Sequence, residues 1–237
     1  MSDPKRPGGA LATRPLHFIW IADCSGSMSA DGKIQGLNNA IKEAIPHMQK
    51  EALSNPNANV LVRAVRFSSG AQWHISQPTA VADFKWEDLG TESVTDMGQA
   101  MRLVADQLKM PPMTDRALPP VLVLISDGQP TDDFDGGLKE LMSLPWGKKA
   151  VRVAIAMGRD ADLEVLQKFI GNSEVKPLQA DNPEALVKCI KWVSTQVLKA
   201  ASSPVSQTPG AGTPTTNVPI PAPPPTQQGL TNPNDPW

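Results

Sequence analysis

Short apolar runs alternate with helical patterns along most of the chain. Four near-continuous apolar runs, at residues 16–22, 60–67, 120–126 and 151–157, are bounded by polar loops and predict strands buried on both faces. A weaker run at residues 71–77 follows a Ser-Ser-Gly turn and predicts an antiparallel edge strand. Between the strands, apolar residues three and four positions apart predict amphipathic helices at residues 34–48, 97–108, 134–143, 160–170 and 183–199. This alternation indicates an α/β fold with a doubly wound, mostly parallel sheet and helices on both faces.

The composition changes abruptly at about Ser202. Residues 202–237 are rich in Pro, Thr, Ser, Gly, Gln and Asn, and Asp235 is their only charged side chain. Such a segment has too few apolar side chains to offset the entropy of ordering. We therefore predict a flexible N-terminal arm at 1–14, one globular domain at 15–201 and a disordered Pro/Thr-rich tail at 202–237. The last six residues, which include Asp235 and Trp237, fit either a docking motif or the passive end of a linker.

Charge and hydropathy exclude several classes of partner. The chain has 22 basic and 24 acidic residues, and its lysines and arginines form no stripe of the kind that binds nucleic acid. No run of 18 apolar residues could span a bilayer, and the first residues lack the apolar core of a secretory signal. We expect a cytoplasmic protein that binds neither nucleic acid nor membrane. Cys24 and Cys189 lie in apolar surroundings and are expected to be buried free thiols.

Oxygen-bearing side chains follow the strands where a doubly wound sheet binds its ligands. Asp23, Ser25 and Ser27 come directly after the first strand, Asp127 follows the run at 120–126, and Thr95 opens a helix between them. We expect the loop to be extended, so that alternation places Asp23, Ser25 and Ser27 on one side of it and Cys24 on the other, towards the core. Carboxylates and hydroxyls suit Mg²⁺, with Mn²⁺ as an alternative, while the absence of histidine and cysteine argues against zinc and copper.

A structural interpretation competes with this metal site. Each of these Asp and Ser residues, taken singly, is more often a helix cap or a turn former, and it is their occurrence as a set that favours metal binding. Asp132 and Asp133 follow the turn at Gln129 and Pro130. We expect both to be the N-terminal charges of the next helix rather than metal ligands.

The three polar segments together resemble the von Willebrand factor A family. Its metal-ion-dependent adhesion site (MIDAS) is built from a DxSxS loop, a later threonine and a later aspartate, and all five are present as Asp23, Ser25, Ser27, Thr95 and Asp127. The resemblance covers about residues 15–200. It implies a Rossmann-like fold and a metal-dependent protein–protein interaction, in which a partner supplies an Asp or Glu carboxylate to the metal.

A finer resemblance concerns the run ISDGQPTDD, which contains Thr131 and Asp132. It is similar to the bacterial tellurium-resistance Y (TerY-like) branch of the family. That branch implies a cytosolic stress-response, signalling or defence system with Ser/Thr kinase and phosphatase partners. The branch usually has Gly-Gly before the threonine of the site, whereas Ser93 and Val94 precede Thr95 here.

Two other functions compete with an interaction module: a metal-dependent phosphohydrolase, and a scaffold whose metal site is not functional. Haloacid-dehalogenase phosphatases need a second Asp two residues after the first, and that position is Ser25. A serine hydrolase needs G-x-S-x-G and a supporting histidine, whereas Ser25 lies in D-C-S-G-S. The glycine-rich motifs of nucleotide binding are absent. We therefore predict no catalytic residues and expect that the protein is not an enzyme.

Overall fold

A six-stranded sheet forms the centre of the computed structural model, which describes residues 13–55, 57–203 and 218–224. The strands are β1 (Arg14–Asp23), β2 (Ala58–Ser68), β3 (Gly70–Ala80), β4 (Val121–Ser126), β5 (Val151–Met157) and β6 (Leu178–Ala180). Their order in the sheet is β3-β2-β1-β4-β5-β6. β2 and β3 pair in antiparallel fashion, and every other pair is parallel. The predicted fold class is confirmed.

Helices cover both faces of the sheet. Successive residues of β1 point to opposite faces, so Phe18 and Trp20 belong to one apolar core and Ile19 and Ile21 to the other. The helices are α1 (Lys33–Ser54), α2 (Met97–Gln107), α3 (Phe134–Ser143), α4 (Pro145–Lys149), α5 (Leu163–Ile170), α6 (Pro183–Trp192) and α7 (Leu198–Ser202), with a 3₁₀ helix at Gly26–Gly32 and a π-helical turn at Val193–Val197. The first core also contains residues of α1, α6 and α7, and the second contains residues of α2 to α5. In the described ranges no helix is both long and apolar enough to cross a membrane.

Two short elements were not predicted from the pattern. β6 has three residues and α4 has five, which is too short for a periodicity of either kind to be visible. The predicted helix at 160–170 begins later, at Leu163, because the Asp162 side chain accepts hydrogen bonds from the amides of Glu164 and Val165 and caps it.

Residues 218–224 lie against the domain. Val218 is 4% exposed within the core formed by α1, α6 and α7, and Ile220 packs against the same core. The indole Nε1 of Trp192 donates a hydrogen bond to the carbonyl of Ala222 (3.1 Å). This packing differs from the expectation of a tail without ordered structure, because Val218 and Ile220 supply apolar area that the average composition conceals. The N-terminal residues 1–12 and the proposed docking motif with Asp235 and Trp237 lie outside the described residues.

Both cysteines are free and buried, as expected. Burial raises the pKa of each thiol to about 12, and the nearby carboxylate of Asp23 for Cys24, or Asp181 for Cys189, adds to the effect. Because only a thiolate is a strong metal ligand or nucleophile, neither cysteine contributes reactive sulfur at neutral pH.

Candidate metal centre

The site begins where β1 and β4 end side by side. Ala22 of β1 lies opposite Ile125 of β4 in parallel register, so Asp23 and Ser126 end neighbouring strands. The Ser126 hydroxyl donates a hydrogen bond to Asp23 Oδ2 (2.5 Å). From this strand pair the sheet continues to β2 on one side and to β5 on the other. Such a reversal opens a crevice at the carboxyl ends of the strands, and the Asp23 carboxylate lies at its base.

The loop after Asp23 folds back on this carboxylate. The Ser25 amide donates to Asp23 Oδ1 (2.8 Å), a local turn that aspartate side chains favour. The backbone is extended at Ser25 but enters the 3₁₀ helix at Gly26. Ser27 therefore lies on a helical turn, and the expectation of an extended loop up to Ser27 was wrong. The hydroxyls of Ser25 and Ser27 nevertheless approach to 3.1 Å, because the turn brings them together.

Asp127 and Thr95 join this pair of hydroxyls from two other segments. The Ser27 hydroxyl donates to Asp127 Oδ1 (2.7 Å), which extends the hydrogen-bonded chain from Ser25 to Asp127. A Cβ atom built on Gly128 would lie 3.6 Å from Thr95 Oγ1 and 3.8 Å from Ser27 Oγ, so these hydroxyls line the space above Gly128. The structure thus brings together all five residues that the sequence predicted for the site.

Thr95 is held in place by the segment that follows Asp127. Its amide donates to Thr131 Oγ1 (3.0 Å), and the Thr131 amide donates to the Thr95 carbonyl (2.9 Å). Thr131 Oγ1 also donates to Asp96 Oδ1 (3.2 Å), next to Thr95 in the chain. The loop that carries Thr95 is therefore fixed to the loop that carries Asp127.

Asp132 adds a second link between these segments. Its two carboxylate oxygens accept hydrogen bonds from the amides of Gly98 and Gln99 (both 2.8 Å), so it caps α2. The expectation that Asp132 serves the next helix was wrong, because a helix from a distant part of the chain presents its free amides there. Asp133 does cap the next helix, α3, by accepting from the Gly136 amide (3.0 Å).

A lysine that was not among the predicted site residues completes the centre. Lys33 Nζ lies 2.6 Å from Asp127 Oδ2, and the two side chains are 6% and 1% exposed. A lysine at the first position of a helix is unfavourable for the helix dipole, and the first turn of α1 contains no acidic residue to compensate. This mismatch was the available signal for Lys33 in the sequence, because a cation at that position needs a tertiary partner.

Burial controls the electrostatics of the first carboxylate. Asp23 is fully buried, and burial raises its pKa to about 6 against the opposing effect of hydrogen bonds from Ser126 and Ser25. The negative charge of Asp127 contributes in the same direction as burial. The ionised form of Asp23 therefore lacks sufficient compensation from the protein alone, and a cation at the site would stabilise it.

The donor set fits a small, hard divalent cation. In the ranges that the structure describes, no three histidine, cysteine, aspartate or glutamate side chains come together. The site instead combines two carboxylates with the hydroxyls of two serines and a threonine. Oxygen donors of this kind suit Mg²⁺ or Mn²⁺.

Comparison with solved structures supports the fold that the sequence predicted. No family model matches the chain, and no curated protein matches it. Among solved structures, similar chains include the ArnB paralog VWA2 from Sulfolobus acidocaldarius (16% identity, TM-score 0.57, 76% of this chain and 45% of that chain) and a von Willebrand factor type A protein from Catenulispora acidiphila (15%, 0.57, 79% and 43%). A third is proximal thread matrix protein 1 from the mussel byssus with a zinc-occupied MIDAS motif (15%, 0.57, 80% and 48%).

These likenesses establish the von Willebrand factor A fold for this chain. The chain spans less than half the length of each of the three solved chains. The similar structures share 13–19% sequence identity with this chain, so the likeness shows the fold alone.

Proposed function

We propose that this chain is a metal-dependent protein–protein interaction module. The observation that carries the proposal is the hydrogen-bonded chain of Ser25, Ser27 and Asp127 beside the buried carboxylate of Asp23, at the reversal point of a von Willebrand factor A fold. The zinc-occupied MIDAS of the mussel protein supports divalent-metal binding by this fold. Proposed metal ligands are Asp23, Ser25, Ser27, Thr95 and Asp127.

Each part of the site has a distinct task in this function. Asp23 and Asp127 supply the negative charge, while the hydroxyls of Ser25, Ser27 and Thr95 supply neutral oxygen donors. With five protein ligands, an octahedral Mg²⁺ or Mn²⁺ ion would keep one coordination position open. Because only two of the five ligands are charged, this position would favour an Asp or Glu carboxylate of a partner protein. The hydrogen bonds between the Thr95 and Asp127 loops keep these donors in one place before any partner arrives.

The proposed role is recognition without catalysis. The position two residues after Asp23 is Ser25, so the acid/base of a phosphohydrolase is lacking there. We further propose the wider role that the TerY-like resemblance implies: a cytoplasmic component of a bacterial stress, signalling or defence system with kinase and phosphatase partners. Turnover of a generic phosphatase substrate by the purified protein with Mg²⁺ or Mn²⁺, lost in Asp23→Asn, would overturn the non-catalytic assignment.

Calorimetric titration with Mg²⁺ and Mn²⁺ tests the metal site directly. Wild-type protein should bind one ion, and Asp23→Asn should bind none that is detectable. Asp88→Asn is the matched control, because Asp88 is an exposed carboxylate paired with Lys42 away from the site. Equal affinity in wild type and Asp23→Asn would contradict the proposed ligand set.

Partner capture tests the interaction function. Immobilised full-length protein should retain a partner in Mg²⁺ and release it in chelator. Asp23→Asn should fail to retain the same partner in Mg²⁺, and Asp88→Asn should retain it. Retention that is indifferent to both chelator and Asp23→Asn would show that binding does not depend on the metal.

A further inference from the structure

The ammonium group of Lys33 lies inside the candidate metal centre. Its Nζ atom is 2.6 Å from Asp127 Oδ2 and 3.8 Å from Oδ1 of the exposed Asp160. A buried lysine at the first residue of a helix is opposed both by desolvation and by the helix dipole. The pairing with Asp127 offsets these costs, so the position of Lys33 is tied to the site.

The backbone around Lys33 directs its side chain to this point. Asp31 and Gly32 both adopt positive φ (51° and 76°), which turns the chain immediately before α1 begins. Gly158, just after β5, also has positive φ, and a Cβ atom there would lie 3.1 Å from Lys33 Nζ. The ends of β4 and β5 therefore enclose the ammonium group.

Lys33 and Ser27 donate hydrogen bonds to different carboxylate oxygens of Asp127. Oδ2 accepts the hydrogen bond from Lys33, while Oδ1 accepts the one from Ser27 (2.7 Å). Lys33 thereby orients Asp127 with Oδ1 towards the proposed metal ligands. Its charge also leaves the two carboxylates with a single formal negative charge in place of two.

We propose that Lys33 is a built-in counter-ion that competes with the divalent cation for Asp127 and so sets the metal affinity of the site. This inference rests on the proposed function. Because like charges repel strongly at short range in a partly desolvated site, the ammonium group weakens metal binding. With Lys33 present, a divalent ion also leaves the centre with one net positive charge, which favours an anionic ligand.

Metal titration of charge variants in the full-length chain tests this role. Lys33→Met removes the charge and keeps the length of the side chain, and Lys33→Gln also removes the charge while retaining a hydrogen-bond donor for Asp127. Lys33→Arg keeps the charge. Lys42→Met is the matched control, since Lys42 lies on the same helix in an exposed pair with Asp88. Mn²⁺ affinity is measured by calorimetry, and the Mn²⁺-induced rise in unfolding temperature is measured in parallel.

Lys33→Met and Lys33→Gln should bind Mn²⁺ about tenfold more tightly than wild type and show a larger metal-induced rise in unfolding temperature. Lys33→Arg and Lys42→Met should behave like wild type. Unchanged or weaker binding in both neutral variants, with normal binding by wild type, overturns the role of Lys33 and leaves the proposed function intact. Binding by the neutral variants alone supports the competition. Absence of binding in every protein overturns both proposals.

Discussion

Thr95 and Thr131 are joined by two hydrogen bonds, and each residue is the donor in one of them. The Thr95 amide donates to Thr131 Oγ1 at 3.0 Å, and the Thr131 amide donates to the Thr95 carbonyl at 2.9 Å. Thirty-six residues separate the two in sequence. The pair fixes Thr95 relative to the loop of Asp127, so the proposed metal centre would depend on a residue that is not itself a proposed ligand.

Thr131→Val should weaken Mg²⁺ binding. The variant keeps the shape of the side chain but removes the acceptor for the Thr95 amide and the donor to Asp96, which should also lower the free energy of unfolding by about 1 kcal/mol. Calorimetry and chemical denaturation measure the two effects. Thr79→Val is the control, because Thr79 pairs with Val62 in the first half of β2, away from the site. Wild-type affinity in Thr131→Val would show that the pair does not position Thr95.

Thr95→Ala should reduce partner binding more than metal affinity. A Cβ atom on Gly128 would lie 3.6 Å from Thr95 Oγ1, whereas the hydrogen-bonded chain runs through Ser25, Ser27 and Asp127. We therefore expect Thr95 to complete the metal shell in the partner-bound state. The check is a pair of titrations, one with Mg²⁺ alone and one with the captured partner in saturating Mg²⁺. Equal losses in both would favour a static site.

The two carboxylates should differ in their effect on the metal-free protein. Asp127→Asn removes the buried carboxylate partner of the Lys33 ammonium and leaves only the exposed Asp160 at 3.8 Å, which should cost about 2 kcal/mol or more. Asp23→Asn should instead raise the free energy of unfolding at pH 8 by about 1–2 kcal/mol, because burial makes the ionised Asp23 unfavourable. Denaturation in chelator measures both. Destabilisation at pH 8 by Asp23→Asn equal to that by Asp127→Asn would contradict this assignment.

The raised pKa of Asp23 determines how its contribution to the free energy of unfolding changes with pH. Its pKa is raised from 3.8 to about 6 in the fold, so its stabilising contribution is complete below 3.8 and is lost as the pH rises through 6. Burial, followed by the charge of Arg63, lowers the pKa of His17 from 6.5 to about 4, which makes stability rise with pH between these values. Because His17 is present in both proteins, the difference between wild type and Asp23→Asn isolates Asp23.

Gly137→Ala should destabilise the contact between α2 and α3. A Cβ atom on Gly137 would lie 2.3 Å from the carbonyl oxygen of Gly98, so the helices touch backbone to backbone. Forcing them apart should cost about 1–3 kcal/mol and weaken Mg²⁺ binding, since the same contact keeps Asp132 at the start of α2. Gly90→Ala is the control, because a Cβ atom there meets nothing within 4 Å. Equal stability of the two variants would argue against this contact.

Val218→Asp should release residues 218–224 from the domain. The carboxylate would replace a side chain that is 4% exposed in the apolar core, and the loss should lower the free energy of unfolding by about 1–3 kcal/mol. Faster proteolysis at this segment should accompany it. Pro219→Ala is the control, since Pro219 is exposed. Identical stability and proteolysis in the two variants would show that the segment adds nothing to the fold.

The fold class could be predicted from the amino-acid pattern alone, and so could the edge of the sheet at which the proposed ligands converge. Buried strands and amphipathic helices are local patterns, so their alternation was readable without tertiary information. The convergence of Asp23 and Asp127 also followed, because residues directly after parallel strands meet at the same edge of the sheet. The packing of Val218 and Ile220 was not predicted, because the composition of residues 202–237 averages over the whole segment.

The contacts that support the candidate site became visible only in the folded chain. Lys33 reaches Asp127 across 94 residues, and Asp132 caps a helix that begins 35 residues earlier. In its local sequence, Lys33 is an ordinary lysine on a helix and Asp132 is an ordinary aspartate before one. Charges and hydrogen bonds act over a few ångströms in space whatever the separation in sequence, so their partners appear only when the chain is folded.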